Sequence, residues 1–238
     1  MAFDLWFPLA VYHADLPGHE QQQQRFVEHI HALRDGAGQK KTSDESSWTG
    51  DVHTVDQIHR DSTFDWLTEQ VELHTLFYLK QLGHNMDKVD LYIQRAWPII
   101  ARKNQAVAMH AHHTAHISAV YYVSVPKTDN PGQTRFFSDS KPNEVAPGIG
   151  ANMTKGYSEL NPFNFQCANY DPIPGRLLLF PAKQMHDVTP HTSDEERITI
   201  SYDMVLAAKD IPGEGTPEFL MPSPARWSKV SRTLPEGV

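Results

Sequence analysis

The stretch that most constrains this chain is Met109-His110-Ala111-His112-His113-Thr114-Ala115-His116-Ile117-Ser118-Ala119-Val120-Tyr121-Tyr122-Val123, where a histidine cluster runs into a β-branched and aromatic segment. The second half reads as a buried strand. If that strand extends back through the first half, His110 and His112 project from one face, because side chains at i and i+2 of a strand share a side. Two imidazoles side by side suit one metal ion. Imidazole serves Fe, Zn, Cu and Ni, so the ligands alone do not name the metal. Four of the fourteen histidines fall within seven positions, a density that favours metal binding over a solvated patch. His113 would face the other way on a regular strand and His116 lies farther along, so each is read as structural. The best candidate for a third ligand is His186.

A chain of 238 residues, 39% hydrophobic and 21% charged, buries enough surface to fold as a single domain without staples. The net charge of −8 comes from mixed signs with no Lys/Arg stripe, which argues against a nucleic-acid partner. Cys167 is the only cysteine, so no intrachain disulfide can form, in keeping with a reducing cytoplasm. Met1-Ala2-Phe3-Asp4-Leu5-Trp6 has neither the basic nor the apolar region of a signal peptide, and no run reaches the length of a membrane span. The expected setting is therefore cytoplasmic, with a small-molecule partner and no membrane. A homodimer is compatible with the sequence.

Taken in order, residues 1–88 read as support for the remainder of the chain. Phe3 to Tyr12 is an opening strand and Asp15 to Gly18 a turn. His19 to Arg34 is a helix, with Phe26, Ile30 and Leu33 at helical spacing. Asp35 to Trp48 is a loop, and Asp51 to His59 is ambiguous. Asp61 can cap a second helix, whose stripe is Phe64, Leu67, Val71, Leu73, Leu76, Phe77 and Leu79 and which stops at Gly83. From Val89 the texture changes to short strands, over 91–93, 96–100, 117–125, 134–137, 176–181 and 197–205. Residues 138–174 read as a long loop that can act as a lid, with Tyr157, Phe163, Asn164 and Phe165 as candidate pocket residues. The tail, 207–238, reads as irregular. Helices first and short strands afterwards predict an α+β, mainly β chain: a jelly-roll core over 89–206 with helices packed on one sheet.

His110, His112 and His186 then share the core with Arg197, which opens the last strand, and with Thr199 and Ser201 on its face. A guanidinium clamps a carboxylate bidentately, so a metal can take one end of a small dicarboxylate and Arg197 the other. The rival reading of Arg197 is a surface ion pair with Asp194, Glu195 or Glu196. Tyr121 and Tyr122 point to opposite faces, one to the core and one toward the site. Trp97 reads as core.

The order His-x-His, Ser118-Ala-Val-Tyr-Tyr-Val123, Gly175-Arg-Leu-Leu-Leu-Phe-Pro-Ala182, His186 and Arg197-Ile-Thr-Ile-Ser201 resembles the iron(II)/2-oxoglutarate-dependent oxygenases. The resemblance is to the subgroup with a prolyl-hydroxylase-like core whose first motif reads His-x-His, and it covers the chain from Phe7 to Tyr202. It implies a double-stranded β-helix and Fe(II) held by His110, His112 and His186. It further implies 2-oxoglutarate paired with Arg197 and supported by Thr199, with Ser201 and Tyr122 as further cofactor-binding candidates. The implied activity is that of a dioxygenase, a hydroxylase of a small molecule or a peptidyl side chain. It would consume O₂ and turn 2-oxoglutarate into succinate and CO₂. In the common His-x-Asp arrangement a carboxylate stands where His112 stands. Either the site is three histidines, the favoured reading, or a carboxylate joins from Asp139 or Asp187. Two rivals are a cupin-type metal enzyme without 2-oxoglutarate, where His116 would make a fourth ligand, and a non-catalytic metal- or carboxylate-binding jelly roll. Zinc with three histidines and a water would point to hydrolysis or hydration instead.

Overall fold

The computed structural model describes residues 6–37, 43–138, 140–149 and 156–230. The strands are β1 (Tyr12–Asp15), β2 (Trp48–Thr49), β3 (Val89–Ala101), β4 (Val107–His110) and β5 (Ile117–Ser124), then β6 (Thr134–Phe137), β7 (Cys167–Tyr170), β8 (Arg176–Pro181), β9 (His186–Val188) and β10 (Arg197–Ala208). Two helices, α1 (His19–Gly36) and α2 (Asp65–Gln81), precede most of them. The strands form a six-stranded sheet in the order β1-β8-β5-β10-β3-β2 and a four-stranded sheet in the order β4-β9-β6-β7. Every described pairing within them is antiparallel. The larger sheet carries the helices on one face, so the architecture is the expected double-stranded β-helix with helical support.

β10 shows how the sequence builds both sides of the larger sheet. It is buried at every position, as a central strand covered on both faces must be. Ile198, Ile200, Tyr202, Met204 and Leu206 join Phe26, Ile30, Leu67 and Val71 of the helices in the main core. Arg197, Thr199 and Ser201 alternate to the opposite face and line a cavity. β5 divides likewise: Ile117, Ala119, Tyr121 and Val123 face the helices, while Val120 and Tyr122 face the cavity.

Several expectations change. The N-terminal strand is Tyr12–Asp15, paired with β8; it runs into the segment read as a turn, and residues 6–11 hold no strand of their own. β3 is one strand and not two, continuing through Pro98. Pro98 is tolerated because its carbonyl points to the β2 side, where it accepts from the Gly50 N–H, and the Gly50 carbonyl takes its donors from the His53 and Val55 N–H groups instead of from Pro98. The stripe of α2 is also revised. Leu67, Val71, Thr75, Tyr78 and Leu79 are buried, while Leu73, Leu76 and Phe77 are exposed, because the face that meets the sheet follows the i, i+4 row. Asp61 accepts from the Thr63 N–H at 2.9 Å, capping a short 3-10 turn that leads into α2, and Gly83 ends the helix at φ 84°. Residues 138–174 are not all loop, since Cys167–Tyr170 forms β7 against β6.

Candidate metal centre and anion pocket

His110 closes β4 and is the direct cross-strand partner of His186 in β9, so the rings meet with centroids 4.3 Å apart. His112 does not sit on the same strand: the extension back to His110, on which a shared strand face depended, does not hold. β4 ends at His110, and a turn intervenes before β5. The turn is pinned at both ends: the His112 N–H donates to the Ala182 carbonyl at 2.9 Å, and the Ala182 N–H donates to the His116 carbonyl at 3.0 Å. One ring nitrogen from each of His110, His112 and His186 lies within 4.8 Å of the others.

The hydrogen bonds on the far side of each ring decide what those nitrogens offer. His110 Nδ1 faces the Ala108 carbonyl at 2.7 Å, His186 Nδ1 the Gln184 carbonyl at 2.8 Å, and His112 Nδ1 an Asp203 carboxylate oxygen at 2.5 Å. These partners only accept, so each Nδ1 carries the proton. Burial lowers the affinity of His110 for a second proton and pulls His186 down to about 4. A neutral ring protonated at Nδ1 offers its lone pair at Nε2, and the Nε2 atoms of His110 and His112 lie 3.1 Å apart. Three imidazole nitrogens converging within 4.8 Å of one another are a donor set that fits a divalent metal.

The remaining candidates take other positions. His116 Nδ1 accepts the Leu206 N–H at 3.0 Å, so the four-histidine arrangement does not form. His113 is exposed and lines the cavity. Asp187 is turned away in a two-pronged pair with Arg135, at 2.8 and 2.5 Å, and Asp139 lies outside the described residues. The carboxylate that does reach the centre is Asp203, which the sequence motifs do not single out. It comes after Arg197, Thr199 and Ser201 at the same two-residue step, and that alternation is the one signal that could have found it.

Opposite the histidines, Arg197 is 3% exposed. Burial pulls its guanidinium down to about 10, still charged at neutral pH. Its described contacts are 3.4 Å approaches to the Pro131 and Thr189 carbonyls. Among the described residues no carboxylate pairs with it. Asp194 pairs with Lys103, Glu196 with His31, Arg34 and Arg102, and Glu195 accepts the Lys127 N–H. The surface ion-pair reading is thereby replaced. Gly132, at φ +78°, makes room for the guanidinium: a Cβ there would stand 2.2 Å from Arg197 Nη1 and 2.6 Å from the Thr189 carbonyl oxygen. Tyr122 faces the site and shares a 2.7 Å hydrogen bond with Thr134, its hydroxyl pushed up to about 12 by burial. Tyr121 points to the helices and meets His19 Nδ1 at 2.7 Å.

Histidines, guanidinium and hydroxyls share one cavity of about 460 Å³. Trp97 is buried as expected and also forms a cavity wall, its ring 5.7 Å from that of His112. Tyr157, Phe163, Asn164 and Phe165 are not among the residues lining this cavity. Asp51 and Arg95 are, and Asp51 Oδ1 is buried with no hydrogen-bond partner among the described residues.

Residues 95–203 match the family described as "Putative 2OG-Fe(II) oxygenase". No curated protein matches the chain in sequence. Among solved structures, a Pseudomonas putida prolyl-4-hydroxylase is 13% identical with a TM-score of 0.51, over 83% of this chain and 92% of that one. The epimerase SnoN in complex with Fe3+, alpha ketoglutarate and nogalamycin RO is 14% identical, TM-score 0.56, over 90% and 91%. HygX from Streptomyces hygroscopicus, with nickel and 2-oxoglutarate bound, is 10% identical, TM-score 0.53, over 90% and 85%. At these identities the likeness is one of fold.

Proposed function

We propose that this chain, an iron(II)- and 2-oxoglutarate-dependent oxygenase by the match over its residues 95–203, holds iron through His110, His112 and His186 and 2-oxoglutarate through Arg197. The observation that carries the residue assignment is the pairing, in one cavity, of three converging ring nitrogens with a buried guanidinium that has no carboxylate partner among the described residues. The iron supplies the activation of O₂ that couples oxidation of 2-oxoglutarate to oxidation of the substrate. The protein does the rest. The Nδ1 hydrogen bonds hold the three rings in the tautomer that aims Nε2 inward. Arg197 clamps the distal carboxylate of 2-oxoglutarate, and the Thr199 and Ser201 hydroxyls flank it. Tyr122, tied to Thr134, closes that end, and Trp97 and Val120 keep the cavity apolar.

The reaction we assign is hydroxylation of a small molecule or a peptidyl side chain. Asp51, Arg95, His113 and Thr114 form the wall left over for that substrate. The unpartnered oxygen of Asp51 favours a substrate with an N–H or O–H donor. The part of the segment 138–174 that precedes β7 is the proposed lid. No described helix is long and apolar enough to cross a membrane. A cytoplasmic location and a homodimer belong to the same proposal.

The deciding experiment is anaerobic titration of the Fe(II) protein with 2-oxoglutarate. A visible charge-transfer band that saturates with cosubstrate is expected. Its absence at saturation would remove this reading, as would an Arg197→Ala protein that forms the chelate as tightly as the wild type.

A further inference from the structure

The geometry points to Asp203 as the positioning residue of the metal centre: its carboxylate, held behind His112, replaces from one ring farther out the anion that a His-x-Asp motif would place on the metal. This role presupposes the three-histidine site proposed for His110, His112 and His186.

Asp203 is 0% exposed, and four donors satisfy it. Oδ1 accepts from His112 Nδ1 at 2.5 Å and from Ser118 Oγ at 2.8 Å. Oδ2 accepts from Arg95 at 2.9 Å through Nε and 2.8 Å through Nη2. The backbone dictates two of these partners, since Arg95 on β3 and Ser118 on β5 are the cross-strand neighbours of Asp203. His112 arrives from the turn after β4, with its own N–H tied to Ala182.

The three histidines are not supported alike. His110 and His186 each donate Nδ1–H to a neutral backbone carbonyl two residues earlier in the chain. Only His112 donates to a carboxylate, and His112 is the position where a carboxylate would replace histidine in the commoner motif. A ring hydrogen-bonded to a carboxylate is fixed in orientation and tautomer and is a more basic ligand. Arg95 and Ser118 keep the carboxylate aimed at Nδ1, so Asp203 cannot swing onto the metal without leaving these four donors unpaired.

The test is Co(II) affinity, measured without 2-oxoglutarate by competition with a chromophoric chelator. Asp203→Asn is expected to weaken Co(II) binding by about 10- to 100-fold. His112→Asp/Asp203→Asn, which moves the carboxylate onto the metal, is expected to bind Co(II) more tightly than His112→Asp alone, an effect that a purely structural role would not produce. A folded Asp203→Asn protein within twofold of wild-type affinity would overturn the inference, as would a double variant weaker than His112→Asp. If Asp203→Asn does not fold, the Zn(II)-loaded wild-type protein still decides. The Nδ1 proton of His112 should resonate farthest downfield of the three ligand rings, and a position level with His110 and His186 would count against the inference. A wild-type protein that binds no Co(II) would instead remove the three-histidine reading itself.

Discussion

A buried guanidinium is stable in use only if something anionic completes it, because an uncompensated buried charge is costly. Arg197 is such a residue, and its burial makes two outcomes expected. Arg197→Ala should leave Fe(II) binding intact and abolish the 2-oxoglutarate chelate, read by the same anaerobic titration. Arg197→Met should also lose the cosubstrate, yet raise the stability of the ligand-free protein by about 1 kcal/mol, since an unpaired charge is exchanged for an apolar chain of similar length. Denaturant melts of the two ligand-free proteins would check this; a destabilised Arg197→Met would mean that the cation is already compensated in the free protein. At this scale the sequence is informative where residue type and strand parity agree. Arg197, Thr199 and Ser201 stand out because they alternate. Asp203 continues the alternation but escapes notice, since a lone carboxylate in a hydrophobic strand reads as surface until the hydroxyl and guanidinium opposite it are known.

Among elements, the loop before β6 is the least conspicuous and among the most constraining. Gly132 has a positive φ and lies against the Arg197 guanidinium. Gly132→Ala is therefore expected to displace Arg197 and to weaken 2-oxoglutarate binding at least about tenfold, while metal affinity stays at the wild-type value; each L residue forced to positive φ also costs roughly 1–2 kcal/mol. Paired cosubstrate and metal titrations would show whether the two affinities separate. In α2, Leu67→Ala should cost about 2–5 kcal/mol, whereas Leu73→Ala on the exposed face should stay within about 0.5 kcal/mol. Equal effects would contradict the packed face. Both helices are legible from their periodicity, but the sequence draws the α2 stripe too wide, because Leu73, Leu76 and Phe77 are as apolar as the residues that pack. The break between β4 and β5 is hidden for a different reason. His112 to His116 carries neither glycine nor proline, and its turn is imposed by hydrogen bonds from the strand end at Ala182, far away in sequence.

For the molecule as a whole, metal and fold are linked thermodynamically. An ion that binds only the folded state at 100 times its dissociation constant adds about 2.7 kcal/mol of stability. Chelation should thus lower the melting temperature. Added 2-oxoglutarate should raise it further only when metal is present, and a full cosubstrate shift in metal-free protein would separate the two sites. The general plan is readable from the chain, helices first and antiparallel strands after. Which short strand meets which is not readable, because pairing between distant segments leaves no periodic mark. β10 draws these levels together. Its even-numbered residues from 198 to 206 are oily and seat the helices, and its odd-numbered ones from 197 to 203 are the chemistry. Losing or gaining a single codon inside it would exchange the two sets for every residue beyond the change, so over evolutionary time the length of this strand is held as firmly as the identity of its odd-numbered residues.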